Sequence, residues 1–256
     1  MQALFATAER TKDFSLADNY VYQRHVFAYR HAARLLGDVV IELGCGNGYG
    51  MQLLARHCQW YTGVDKYAAA KQLSANSGFF KASLPNLSNI GSNSFDTVIC
   101  FQVLEHIKND GRLLAEIHRI LKPGGRLLLT TPNRLMSLTR NPFHVREYTP
   151  VSMQQLVAST FTRYTIRGIK GNDNVMTYYR CNKKQVEQVT RWDVLNLQYR
   201  LPAFLLKWPY NMMNNLNRFT LYNRQTALTA TIEYADFFLD EADDTCLDFF
   251  IVAEKA

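Results

Sequence analysis

Glycines at 44, 46 and 48, an acid at 42 and a second acid at 65 are the residues whose types and spacing imply chemistry. Residues 41–50 read IELGCGNGYG. Glycines let the backbone turn sharply and leave no side chain between a loop and its ligand. A dinucleotide fingerprint needs GxGxxG. Counted from Gly44, Gly46 or Gly48, the third glycine falls on Tyr49, Met51 or Leu53, so the pattern fails in every register. The phosphate-binding GxxxxGK[ST] run is also absent. What remains is an acid–x–Gly–x–Gly–x–Gly loop, with Asp65 following Glu42 by 23 residues. A carboxylate at that place can accept hydrogen bonds from both hydroxyls of a ribose. The plain alternative is a glycine turn that only packs a helix on a strand.

A second constellation is Gln102–x–x–Glu105–His106, with His144 downstream in the run NPFHVREYT. Histidine changes charge near neutral pH, and a carboxylate or imidazole can take a proton from a hydroxyl nucleophile. Glu105, His106 and His144 are therefore the candidate catalytic residues. Two imidazoles and a carboxylate are also a metal-ligand set. Gln102 stands where a further acid would strengthen it, and an amide is a poorer cation ligand. No resident metal is assigned, and a divalent ion would be weakly held.

These residues need a frame. Residues 39–43 (VVIEL) form a short apolar run ending in the glycine turn, as a buried strand does. Residues 61–64, 78–82, 96–101 and 126–131 read as further strands, separated by helical patterns at 49–57, 68–77 and 109–121. The third helix stops at Lys122-Pro123-Gly124-Gly125. Thr149-Pro150 is a helix start, and 161–169 reads as a sixth strand. An amphipathic helix over 20–36 precedes them all. Alternation of this kind predicts an α/β, Rossmann-like sheet of seven mostly parallel strands with helices on both faces and the last strand antiparallel. The regularity stops near Gly171. Residues 172–230 read as a mainly helical insertion, with helical stretches at 183–199 and 203–217. Residues 232–239, an acidic turn and 247–253 then complete the core. The expected domains are 1–171, 172–230 as a cap over an acceptor, and 231–256.

Composition excludes several classes. With 47% hydrophobic and 20% charged residues among 256, the chain is globular rather than disordered. No run reaches the ~18 apolar residues of a membrane span. The opening residues carry charges where a secretory leader is apolar, and five scattered cysteines without a CxxC pair make no disulfide or zinc framework. The expected location is the cytoplasm. Net charge is +7, concentrated over 163–224, where eleven bases meet three acids. A basic face of that kind suits an anionic substrate, a membrane surface or nucleic acid, or is simply solvated.

The glycine loop with Asp65 resembles the cofactor-binding motif of class I S-adenosylmethionine-dependent methyltransferases. The resemblance extends to residues 94–100 (SFDTVIC), 103–107 (VLEHI), 121–127 (LKPGGRL) and 131–133 (TPN), in that family's order, and covers about residues 20–170. It implies S-adenosylmethionine as cofactor and S-adenosylhomocysteine as product. It also implies that Gly44, Cys45, Gly46 and Gly48 pass under the methionine and ribose, and that Glu42 orients the loop. Asp65 would grip the ribose, with Lys66 beside the adenine and Ala82 and Ser83 at its edge. Phe101 and Gln102 would lie beneath the sulfonium, and Arg24 would meet the cofactor carboxylate. Lys81 departs from the acid that this family often carries near the adenine.

The acceptor implied is a small molecule: lipid-like, a sugar or a quinone precursor. RNA ribose methylation and cofactor binding without catalysis are the alternatives. Aromatic residues of the insertion (Tyr178, Tyr179, Trp192, Tyr199, Trp208 and Tyr210) and Met212-Met213 either line a pocket or form the insertion's own core. Residues 201–208 are a candidate for peripheral membrane contact. The expected state is a monomer or a homodimer.

Overall fold

A computed structural model describes residues 18–67, 74–191, 193, 197–224 and 226–256, with the side chains of 189 and of those within 214–227 excepted. Most of the helix expected over 68–77, and Trp192, lie outside the described residues.

Eight strands form one sheet: β1 (Val39–Leu43), β2 (Trp60–Asp65), β3 (Ser77–Lys81), β4 (Phe95–Phe101), β5 (Leu121–Pro132), β6 (Arg163–Gly171), β7 (Phe237–Glu241) and β8 (Asp248–Glu254). Their order is β3-β2-β1-β4-β5-β8-β6-β7. The first five pair in parallel, and β8 runs antiparallel to both β5 and β6. This is the Rossmann-like arrangement with an antiparallel last strand. The difference is one strand more than seven. β7 is a five-residue edge strand, and a 3₁₀ turn at Tyr234–Asp236 uses up the start of the expected 232–239 run.

The chain divides into two compact units. One comprises residues 28–136, 145–170 and 239–256. Its core follows from strand alternation. On one face Ile41, Leu43, Val98, Cys100, Leu127, Leu129 and Ile251 pack with Leu113, Leu114, Ile117 and Ile120 of α3 (Asp110–Ile120) and with Met153 and Val157 of α4 (Pro150–Ala158). The 113, 114, 117, 120 spacing puts those four side chains on one helical face. Asn109 caps α3 by accepting from the Arg112 N–H. Thr149 and Ser152 form a reciprocal capping box on α4, with Pro150 in its first turn. On the other face lie α2 (Tyr49–Leu54) and the end of α1 (Asn19–Ala32). There Tyr29 meets Phe101 edge-on at 5.0 Å, and His31 meets Phe250 at 5.1 Å.

The other unit takes the described residues among 1–27, 137–144 and 171–238. It is mainly helical, with α5 (Asp173–Thr190), α6 (Leu197–Arg200), α7 (Ala203–Arg224) and α8 (Thr226–Thr231). The first of these begins ten residues earlier than the pattern at 183–199 suggests. Asn172 accepts from the N–H groups of Asn174 and Val175, a local cap that hydropathy does not register. Tyr20 stacks on Tyr178 at 4.7 Å, and Asn19 donates to the Thr229 and Ile232 carbonyls.

Asn133, in the TPN run at the end of β5, is completely buried. Its amide donates to the carbonyls of Asp243 and Cys246, fixing the turn that leads into β8. Replacing it by alanine removes the donor to the Cys246 carbonyl and one of those to the Asp243 carbonyl. Asn133→Ala is expected to cost about 2–4 kcal/mol in chemical denaturation; a loss under about 0.5 kcal/mol removes the amide from this role.

Candidate functional site

Just before the glycine loop, β1 carries the buried acid Glu42. One of its carboxylate oxygens accepts from the Tyr29 hydroxyl and the other from the Tyr61 hydroxyl, the latter at 2.9 Å. A side chain at Gly50 would strike Tyr29 and both Glu42 oxygens at 2.4–2.8 Å. Glycine there lets α2 close over the carboxylate. Burial pushes the Glu42 carboxyl up to about 7, with the nearby Asp65 charge adding and the two phenol hydrogen bonds opposing.

The loop itself turns through three left-handed glycines: Gly44 (φ 75°), Gly46 (φ 53°) and Gly48 (φ 83°). A Cβ on Gly44 would meet Val103 at 2.3 Å, whereas one on Gly46 would meet nothing within 4 Å. So Gly44 is required by packing, while Gly46 faces open space. The Gly44 and Cys45 N–H groups bond the Val64 carbonyl at 2.7 and 3.0 Å, tying the loop to β2. Gly46 N–H donates to Asp65 Oδ2 at 3.0 Å, and Tyr67 N–H donates to Asp65 Oδ1 at 2.9 Å. The two motifs are thus joined by a direct bond, with Asp65 at the carboxyl end of β2. Cys45 packs its sulfur against Gly63, the gap in β2 that accommodates it. Burial pushes the thiols of Cys45 and Cys100 well up, so neither is an ionised nucleophile near neutral pH.

Around this centre Ala82 N–H bonds the Asp65 carbonyl at 3.1 Å, and Ser83 begins a turn closed by the Asn86 N–H. Lys66 is exposed, its ammonium 4.8 Å over the Tyr67 ring. Phe101 ends β4 within the Tyr29–Phe101–Phe250 aromatic group. Gln102 then adopts φ 54°, a left-handed conformation uncommon for a residue with a side chain. Its amide is held by Thr130 Oγ1 and by Asp248 Oδ2, both at 3.3 Å.

Glu105 is buried, and Thr131 Oγ1 donates to its Oε2 at 3.0 Å. The Glu105 carbonyl accepts from the Val145 N–H at 2.7 Å. His106, next to it, is half-buried. Asp110, at the start of α3, accepts from Arg146 and from the Tyr148 hydroxyl, each at 2.8 Å. Beside them a cleft of about 350 Å³ is lined by Arg134, Arg146, Glu147, Tyr148, Thr149 and Ser152 among others. The remaining two sequence candidates belong to the other unit. Arg24 lies in α1 with its guanidinium 5.4 Å over Tyr20, and the His144 ring pairs with the Asn141 amide at 2.9 Å.

Residues 41–129 match the methyltransferase domain family. Over that stretch the chain is similar to methyltransferase domains. A relative from Mycolicibacterium smegmatis, named "Probable S-adenosylmethionine-dependent methyltransferase", is 34% identical over 165 residues, 60% of this chain and 64% of its own. A Mycobacterium tuberculosis protein of the same description is 34% identical over 161 residues, 56% of each chain. A ubiquinone biosynthesis O-methyltransferase of Pseudomonas aeruginosa is 30% identical over 110 residues, 40% of this chain and 47% of its own. The chain therefore spans less than two thirds of the length of each of these relatives. Among solved structures, a methyltransferase from Archaeoglobus fulgidus superposes with a TM-score of 0.55 at 13% identity, covering 93% of this chain and 97% of that one. The [4+2]-cyclase SpnF superposes at 0.51 with 18% identity, covering 91% and 81%. The fold is thus shared with a protein named for another reaction, so function depends on the site rather than the fold.

Sequence reasoning passed over Tyr29, Tyr61, Gly50 and Asp248. The continued glycine spacing 44, 46, 48, 50 marks Gly50. An acid opening the otherwise apolar run DFFIVA marks Asp248.

Because the folded Glu42 carboxyl sits above its ordinary value, it contributes stability that is full below about pH 4.5 and is lost as pH rises through about 7. Glu42→Gln removes that dependence. The melting temperature of the variant relative to the parent is expected to rise from pH 5 to pH 8, by an amount worth about 2–3 kcal/mol. A difference independent of pH would show that the carboxyl is not buried in this state.

Proposed function

We propose that the chain is an S-adenosylmethionine-dependent methyltransferase acting on a small-molecule hydroxyl acceptor. The Gly46–Asp65 bond carries the reading. It sets a glycine turn, open on its Gly46 side, against a carboxylate at the adjoining strand end. A ligand with a ribose diol fits that pair. Gly46 offers room for close approach of the backbone, and Asp65 offers acceptors for two hydroxyls.

When bound, the cofactor supplies a methyl group on a sulfonium, already activated for in-line displacement. The chain's residues position the partners, which can offset ~7–11 kcal/mol of barrier. Bound there, the cofactor would give its methyl group to an acceptor oxygen and leave as the neutral thioether. The hydroxyl proton passes to His106, an imidazole that is half-buried beside Glu105. Glu105, buried and held by Thr131, is a positioning residue for that segment. The buried thiols of Cys45 and Cys100 stay protonated and do not compete for the methyl group.

The cleft beside Arg134 and Arg146 is the place proposed for the acceptor. It lies past the carboxyl end of β5, on the side of the sheet where ligands of open α/β folds bind. The likeness to the ubiquinone biosynthesis O-methyltransferase supports an oxygen acceptor, and a quinone precursor, a sugar or a lipid-like phenol fits that chemistry.

Asp65→Ala is expected to weaken S-adenosylmethionine binding about 100-fold in calorimetry, since charge-assisted hydrogen bonds to the ribose are lost. Unchanged affinity with unchanged thermal stability removes Asp65 from the cofactor site. His106→Ala is expected to leave cofactor affinity intact and lower turnover about 10²-fold or more in transfer of a labelled methyl group to an extract's small molecules. Equal turnover assigns the proton elsewhere.

A further inference from the structure

The first half of α7 presents apolar side chains to solvent. Phe204, Leu205, Trp208 and Met212 are 71%, 50%, 74% and 44% exposed. At 100° per residue these four fall within an arc of about 100°. That is the stripe a globular helix normally buries. The opposite side is the one in contact. Tyr210 meets the Phe143 ring edge-on at 6.3 Å, and the Lys207 ammonium lies 5.2 Å over the same ring. Just before the helix, the Arg140 guanidinium donates to the carbonyls of Gln198, Tyr199 and Leu201 at 3.1–3.4 Å. That clamp holds the short turn on which Leu197 and Tyr199 are also exposed. The outward stripe is therefore held in place by contacts within its own unit.

Charge completes the pattern. From residue 194 to residue 232 the sequence has no Asp or Glu, and its cations are Arg200, Lys207, Arg218 and Arg224. Apolar and aromatic residues together with cations, and no acid, are the chemistry of a helix lying in a membrane interface. No helix among the described residues is long and apolar enough to cross a membrane, so the geometry is that of a segment lying on the surface. A second copy of the chain is a poorer occupant. A second copy would set this cation-bearing segment against itself, with no acid between residues 194 and 232 to offset the charge.

We propose that the exposed stripe of α7, with the acid-free basic segment around it, docks the protein on an anionic lipid surface. The stripe enters the boundary between headgroups and acyl chains, and the exposed Arg200 faces the headgroup phosphates.

The test is co-sedimentation of the full chain with vesicles of phosphatidylcholine alone and of equal parts phosphatidylcholine and phosphatidylglycerol. The parent is expected to bind the mixed vesicles and to release as salt is raised. Because glutamine is a good helix former, the double substitution Phe204→Gln, Trp208→Gln changes solvent-facing atoms only. It is expected to weaken vesicle binding about tenfold or more, since two buried aromatic contacts are lost, with melting temperature and S-adenosylmethionine affinity unchanged. Arg200→Gln is expected to weaken it less and to flatten the salt dependence. The proposal is overturned if the parent stays in the supernatant, if it binds both vesicles equally, or if the double variant binds like the parent. A concentration-dependent dimer abolished by the double variant, without vesicle binding, overturns it in favour of self-association.

Discussion

A single buried carboxylate holds the cofactor-side architecture together. Glu42 stands on β1, takes hydrogen bonds from Tyr29 on α1 and Tyr61 on β2, and is covered by Gly50 on α2. Four elements meet on two oxygen atoms. Removing such a group from water is expensive unless its lone pairs are used, and here both oxygens are. The cost that remains appears as a carboxyl lifted toward neutrality. The glycine loop begins two residues later, so its starting direction is set by whatever Glu42 bonds.

From that anchor the site is built by short backbone links. The loop hangs on the Val64 carbonyl, and Asp65, the next residue, returns a hydrogen bond to Gly46. Two strand ends are thereby locked in register at the point where a ligand would lie. On the other side of the sheet's centre Gln102 turns out of β4 in a left-handed conformation, and its amide is fixed by Thr130 and by Asp248 from the antiparallel β8. That conformation is costly for a residue with a Cβ. Anchoring by two neighbouring strands holds it.

Much of this was legible in the chain. Strand and helix periods located the sheet, because burial forces alternation on strands and a 3.6-residue repeat on helices. The cap at Thr149 was readable because capping is local chemistry. The helix α5 begins earlier, and β7 later, than the hydropathy pattern places them, and both shifts have one cause. Asn172 and Asp236 act through side-chain-to-backbone bonds that hydropathy does not register. Trp208 shows a sharper limit. Its type and spacing suit a core or pocket position equally well, and only its exposure tells that it faces solvent.

The amino-acid order alone determined the glycine turn, the acid that follows it and the parallel sheet that presents both, since these depend on residue types within a few positions of one another. Tertiary structure decided which groups share a hydrogen bond: Glu42 with two distant phenols, Gln102 with Asp248, Asn133 with the turn before β8. It also decided which face of α7 is left to water. Such pairings join residues up to 146 positions apart. They arise from the sheet's strand order, in which β8 is inserted between β5 and β6, and no local pattern encodes that insertion.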